Sequence, residues 1–140
     1  AIIKLDYRII SPSDIGFHNC LLLNNELYFI DFEYAGWDDP LKLICDLVLQ
    51  PDYSIPKVYL GLIRNLTNKL NLVPDWQLRL EIMLEIYTIK WVCIILNPLL
   101  TRNLDEDKSI DPEFYIDKAS NYLKRTLENI LIAKSELCNY

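Results

Sequence analysis

Two four-residue apolar runs, 20–23 (Cys-Leu-Leu-Leu) and 27–30 (Leu-Tyr-Phe-Ile), are separated by Asn24-Asn25-Glu26. Asparagine tolerates left-handed backbone, so this pattern predicts a β-hairpin. A loop precedes it. Residues 11–19 (Ser-Pro-Ser-Asp-Ile-Gly-Phe-His-Asn) are punctuated by Pro12 and Gly16. Residues 2–10 are apolar and β-branched, and their length suits a strand or a helix tail equally.

From residue 40 the periodicity becomes helical. Pro40 suits a first helical turn, and Leu41, Ile44, Leu47 and Val48 recur at helical spacing. Asp52 and Tyr53 read as a linker. Ile55 to Leu72 carries Val58, Leu62, Leu66 and Leu70 on one face. Pro74-Asp75 opens the strongest helix, with Leu78, Ile82, Ile86, Ile89 and Cys93 in line, expected to stop near Asn97-Pro98. Residues 101–111 read as an exposed polar loop. Asp111-Pro112-Glu113 looks like a cap with proline at the first position, opening a helix to about Leu137. The expected fold is α+β, mainly α: a small hairpin packed on a helical bundle, in one domain over 1–140.

Composition narrows the function. The chain has 140 residues, 51% of them hydrophobic and only 3 glycine, which suits one ordered globular domain. Its four cysteines, at 20, 45, 93 and 138, form no CxxC pair, and the single histidine gives no zinc set. Reduced thiols in a cytoplasmic protein are the simplest reading. A net charge of −6 argues against a nucleic-acid partner, which would call for clustered Lys and Arg; it is compatible with a cationic substrate. The longest apolar run, Trp91 to Leu96, is far short of the ~20 residues that a bilayer requires, so no membrane partner is expected. The sequence begins at Ala1, without an apolar leader segment, and is expected to be a fragment of something longer.

The chemistry sits in 11–36. Asp14 and Asn19 lie five apart on the loop, and Asp31 follows at the end of the second strand. Phosphoryl transfer asks for a carboxylate that orients an acceptor hydroxyl and takes its proton. It also asks for hard oxygen ligands holding Mg²⁺, one or two from the protein with water completing the shell. Asp-x₄-Asn followed by a strand-end Asp supplies both, and a hairpin returns Asp31 to the side of Asn19.

Asp14-x₄-Asn19 with Ile30-Asp31-Phe-Glu-Tyr-Ala-Gly36, then Asp38-Asp39-Pro40 and Cys45-Asp46-Leu47, resembles the catalytic lobe of the aminoglycoside phosphotransferase and choline kinase family. The resemblance covers 11–47, and more loosely 75–97, where Ile89-Lys90-Trp91 and Leu96-Asn97 look like a helix of bacterial members. It implies a protein-kinase-like C-terminal lobe, with 11–36 as the catalytic and metal-binding segment and 40–140 as a helical substrate-binding part. Asp14 would be the catalytic aspartate. Asn19 and Asp31 would be the magnesium ligands and hold ATP through the metal, Asp31 in the role of the kinase D-F-G aspartate. Asp39-Pro40 and Asp46 would be structural, buttressing the loop and starting the next helix. The acceptor would be a small molecule bearing a hydroxyl.

Two departures stand out. Family members read His-Gly-Asp-Leu-His, whereas this chain has Pro12-Ser13-Asp14-Ile15-Gly16. Both histidines are replaced, and His18 stands beside Asn19 instead. Catalysis is therefore expected to be slower, to rest on other supports such as Ser11 or Ser13, or to be lost, leaving a degenerate kinase-like binding or assembly module. Further, ten residues before Ser11 cannot hold the family's nucleotide lobe with its phosphate-covering loop and strand lysine. The 140-residue chain alone is expected not to transfer phosphate and to need that N-terminal lobe or an upstream domain as partner.

Other residues carry two readings each. Glu33 suits a substrate contact or a solvated strand end. Trp37 suits a core plug or a platform stacking on a substrate ring or cation. His18 suits a loop hydrogen bond better than a catalytic base. Lys90 is expected to snorkel or pair with an acid, and Tyr87, Trp91 and Trp76 to be core. Asp105-Glu106-Asp107 reads as a solvated loop.

Overall fold

The computed structural model describes residues 4–52, 65, 67–101 and 111–137. The protein is mainly helical with a small amount of strand, as the α+β expectation requires. It divides into two compact units, Ala1–Met83 and Leu84–Tyr140.

In the first unit a single 3₁₀ turn, Leu5–Tyr7, leads into β1 (Ile9–Ser11). A second 3₁₀ turn, Phe17–Asn19, runs directly into β2 (Cys20–Leu23), which pairs antiparallel with β3 (Glu26–Phe29). Leu23 faces Glu26, so the connection is the two residues Asn24 and Asn25. Both have positive φ, 51° and 64°, as a type I′ turn requires. β4 (Gly36–Asp38) returns to pair antiparallel with β1, Ser11 opposite Gly36 and Ile9 opposite Asp38. The segment 11–36 is therefore an excursion whose two ends are tied together by a strand pair.

Helix α1 (Pro40–Val48) follows at once. Pro40 occupies the first turn and Asp39 caps it, its carboxylate accepting from the Leu41 amide at 2.9 Å. It buries Leu41, Ile44, Cys45 and Asp46. The expected helix 55–72 lies mostly outside the described residues; of it, Asn65 and 67–69 are helical. The expected loop 101–111 lies outside them over 102–110.

Helix α2 (Trp76–Leu96) runs across the boundary between the units, and a short helix α3 (Pro98–Thr101) follows it. In the second unit α4 spans Pro112–Leu137. Asp111 accepts from the Glu113 amide at 3.0 Å, the cap expected there. Ile95 on α2 and Ala119 and Tyr122 on α4 form a core, flanked by Trp91, Val92 and Leu96. Among the described residues no helix is long and apolar enough to cross a membrane.

Three packing expectations are corrected. The stripe Leu78, Ile82, Ile86, Ile89, Cys93 does not face the core: its four aliphatic members are 50–62% exposed, and Cys93 is exposed too. The buried residues of α2 are Leu80, Leu84, Thr88 and Ile95. The helix is apolar on more than one face, so periodicity offers two stripes, and packing partners choose between them. Among the described residues the hairpin is not packed on the helices: apart from half-buried Cys20, every residue of β2 and β3 is exposed. Trp37 is no core plug, being 61% exposed on β4.

Candidate functional site

The loop between β1 and β2 is built around three small-residue contacts. Buried Ser11 accepts the Ser13 amide on its hydroxyl at 3.1 Å. Ser13 adopts φ 67°, a left-handed conformation that costs a non-glycine residue energy and turns the chain sharply before Asp14. Gly16 is buried in extended backbone at φ −175°, so its value is steric. A Cβ there would stand 2.5 Å from the His18 ring and 3.0 Å from Gln50 Nε2. Glycine at 16 gives the imidazole of His18 room to turn back toward Asp14. Gln50 at the end of α1 pins the same loop by donating to the Ile15 carbonyl at 3.0 Å.

Asp14 and Asn19 are brought together. The Asn19 side-chain amide donates to the Asp14 carbonyl at 2.9 Å and approaches its carboxylate Oδ2 at 3.4 Å. His18 Nε2 lies 3.4 Å from the same oxygen. The Asp14 side chain is 51% exposed, open to an incoming molecule, whereas Asn19 is buried. With its nitrogen committed to the loop, Asn19 keeps Oδ1 uncommitted among the described residues.

Asp31 follows the residue that pairs with Asn19. The Ile30 amide donates to the Asn19 carbonyl at 2.9 Å, extending the β2–β3 ladder by one pair. Asp31 is thus one residue beyond the partner of Asn19. Its φ is 62°. Among the described residues four non-glycine residues have positive φ: Asn24 and Asn25 make the hairpin turn, Ser13 directly precedes Asp14, and the fourth is Asp31. The Ser11 hydroxyl holds Ser13 in this conformation, and aspartate is among the residues that tolerate it at 31. The Asp31 carboxylate is exposed and makes no hydrogen bond or ion pair among the described residues. Glu33 and Trp37 are exposed as well, Glu33 in the turn before β4.

Beneath this loop lies a residue that sequence reasoning missed. Lys42 Nζ reaches the Ser13 carbonyl at 3.0 Å, the Ser13 hydroxyl at 3.1 Å, Asp38 at 2.8 Å and Asp46 at 3.0 Å. Burial, the largest single influence, pulls its pKa down. The hydrogen bonds and charges of Asp38 and Asp46 outweigh this and hold it above the ordinary lysine value. The i,i+4 spacing of Asp38, Lys42 and Asp46 was available as a signal; the Ser13 contact was not. Asp39, besides capping α1, accepts from Arg79 of α2 at 2.5 Å. The structural roles expected of Asp39-Pro40 and Asp46 agree with this geometry.

Comparison with protein-family models, curated proteins and solved structures finds no match to the chain.

Among the described residues no group of three His, Cys, Asp or Glu side chains could hold a metal ion. The oxygen donors present are of a sparser kind. Asn19 Oδ1 and the Asp31 carboxylate are hard oxygen donors, Asn19 opposite Ile30 and Asp31 the next residue along the chain.

Proposed function

We propose that residues 11–36 are the metal- and acceptor-binding segment of an ATP-dependent phosphotransferase with a protein-kinase-like C-terminal lobe, acting on a hydroxyl of a small molecule. The supporting observation is the Asp14–Asn19–Ile30 linkage. One side-chain amide ties Asn19 to Asp14, one backbone amide ties Asn19 to Ile30, the residue before Asp31, and the backbone is left-handed at Ser13 and at Asp31.

In this reading the half-exposed carboxylate of Asp14 orients the acceptor hydroxyl and takes its proton. His18 and the Asn19 amide steady that carboxylate. Asn19 Oδ1 and Asp31 are the ligands for Mg²⁺, which when bound neutralises charge on the phosphates of ATP. Glu33 and Trp37 border the segment and are assigned to the acceptor. The helices after residue 40 supply the rest of its pocket. The nucleotide-binding lobe is assigned to an upstream part of the protein, as its partner. With Cys20, Cys45 and Cys93 in no disulfide and a net charge of −6, the proposed setting is the cytoplasm, away from nucleic acid.

The test is Mg²⁺-dependent nucleotide binding by the full-length protein, by calorimetry, with and without Asp31→Ala. Binding that requires Mg²⁺ and is lost in the variant supports the assignment. If the wild type binds neither metal nor nucleotide, the transferase reading fails and a kinase-derived binding module takes its place.

A further inference from the structure

We propose that Lys42 is the positioning residue of this site, acting from helix α1 on the metal ligand Asn19 through Ser13 and the Asp14 carbonyl. The proposal rests on the assignment of Asn19 given above. A lysine ammonium has three protons, and here four acceptors from three segments converge on it. Two acceptors are helix-spaced carboxylates, and a lysine serving only the helix would stop there. The other two belong to Ser13, 29 residues away in sequence, at the strained position directly before Asp14.

From Ser13 the geometry leads to Asn19 in two steps. Fixing the Ser13 carbonyl and hydroxyl fixes the direction in which the chain enters Asp14. The Asp14 carbonyl in turn receives the Asn19 amide at 2.9 Å, which sets where Asn19 Oδ1 points. The side chain of Lys42 is only 20% exposed and that of Asp46 4%, so α1 presents the ammonium from a buried, fixed base. The two acids hold it in register. Groups that orient a metal ligand matter to affinity nearly as much as the ligand itself.

Two variants separate positioning from plain stability. Lys42→Met removes the ammonium from acids and serine alike; Asp46→Asn weakens the helix pair and leaves the Ser13 contacts. Backbone hydrogen exchange is read at Asn19 and Ile30, whose amides donate to the Gly16 and Asn19 carbonyls, and Mn²⁺ affinity is read by electron paramagnetic resonance, both on the full-length protein. Exchange at those two amides is expected to accelerate about 10-fold in Lys42→Met, with little change in Asp46→Asn, and Mn²⁺ affinity to fall about 10-fold in Lys42→Met alone. Equal exchange in both variants overturns the proposal. Should Lys42→Met not fold, Ser13→Ala, which deletes one of the two loop contacts, is expected to give a smaller acceleration at the same amides. No acceleration there overturns it equally. If the wild-type chain binds no Mn²⁺, the metal assignment fails, while the exchange data still decide whether Lys42 positions the loop.

Discussion

Replacing Asp39 removes two interactions that one carboxylate makes at once. Oδ1 caps α1 through the Leu41 amide at 2.9 Å, and Oδ2 receives Arg79 of α2. Losing an N-cap costs about 1 kcal/mol. The ion pair is partly shielded, with side chains 15% and 24% exposed, so after discounting for solvent it contributes about 1–2 kcal/mol. Arg79 Nε is buried and has no hydrogen-bond partner among the described residues, so without Asp39 the guanidinium is left poorly compensated. Asp39→Ala is therefore expected to cost about 2–3 kcal/mol, a large share of a total stability of about 5–15 kcal/mol. Asp39→Asn keeps an oxygen for the Leu41 amide and loses the charge, and is expected to cost about 1 kcal/mol less than the alanine variant. The assay is urea unfolding followed by far-UV circular dichroism, where the alanine variant should lower the midpoint by about 1–2 M. In a cycle of Asp39→Asn with Arg79→Met, the double variant should cost less than the sum of the singles. If Asp39→Asn costs as much as Asp39→Ala, the cap contributes nothing. If both cost under about 0.5 kcal/mol, Asp39 does not join the two helices.

Gly16→Ala is expected to displace the imidazole of His18 from Asp14, at a cost of about 1 kcal/mol. Because His18 is the only histidine, its ring signals in a proton–nitrogen NMR spectrum report this directly, and unchanged signals would contradict the steric account of Gly16. Tyr122 is 4% exposed, and burial pushes its phenol up to about 12, against the smaller opposing pulls of Thr126 and Arg125. An unfolded tyrosine ionises near pH 10 while the folded one stays neutral. Its contribution is thus complete below pH 10 and is lost as pH rises through about 12. Stability measured across that window should fall less steeply in Tyr122→Phe than in the wild type.

Local chemistry settled much of the fold in the sequence. Asn24-Asn25 between two apolar runs made a hairpin because both residues accept positive φ. Asp39-Pro40 and Asp111-Pro112 started helices because a capping carboxylate and a fixed φ act within one turn. The loop-and-strand-end spacing of Asp14, Asn19 and Asp31 was legible for the same reason: a two-residue hairpin turn leaves only one register, and that register sets Ile30 against Asn19.

Tertiary structure decided what local chemistry leaves degenerate. Which stripe of α2 is buried, and that Trp37 stands in solvent, depended on which surfaces found partners. The contacts of Lys42 with Ser13 and of Arg79 with Asp39 join residues 29 and 40 apart. No periodicity or cap encodes them. They exist because the chain, once folded, must bring an acceptor to every ammonium and guanidinium that it draws away from water.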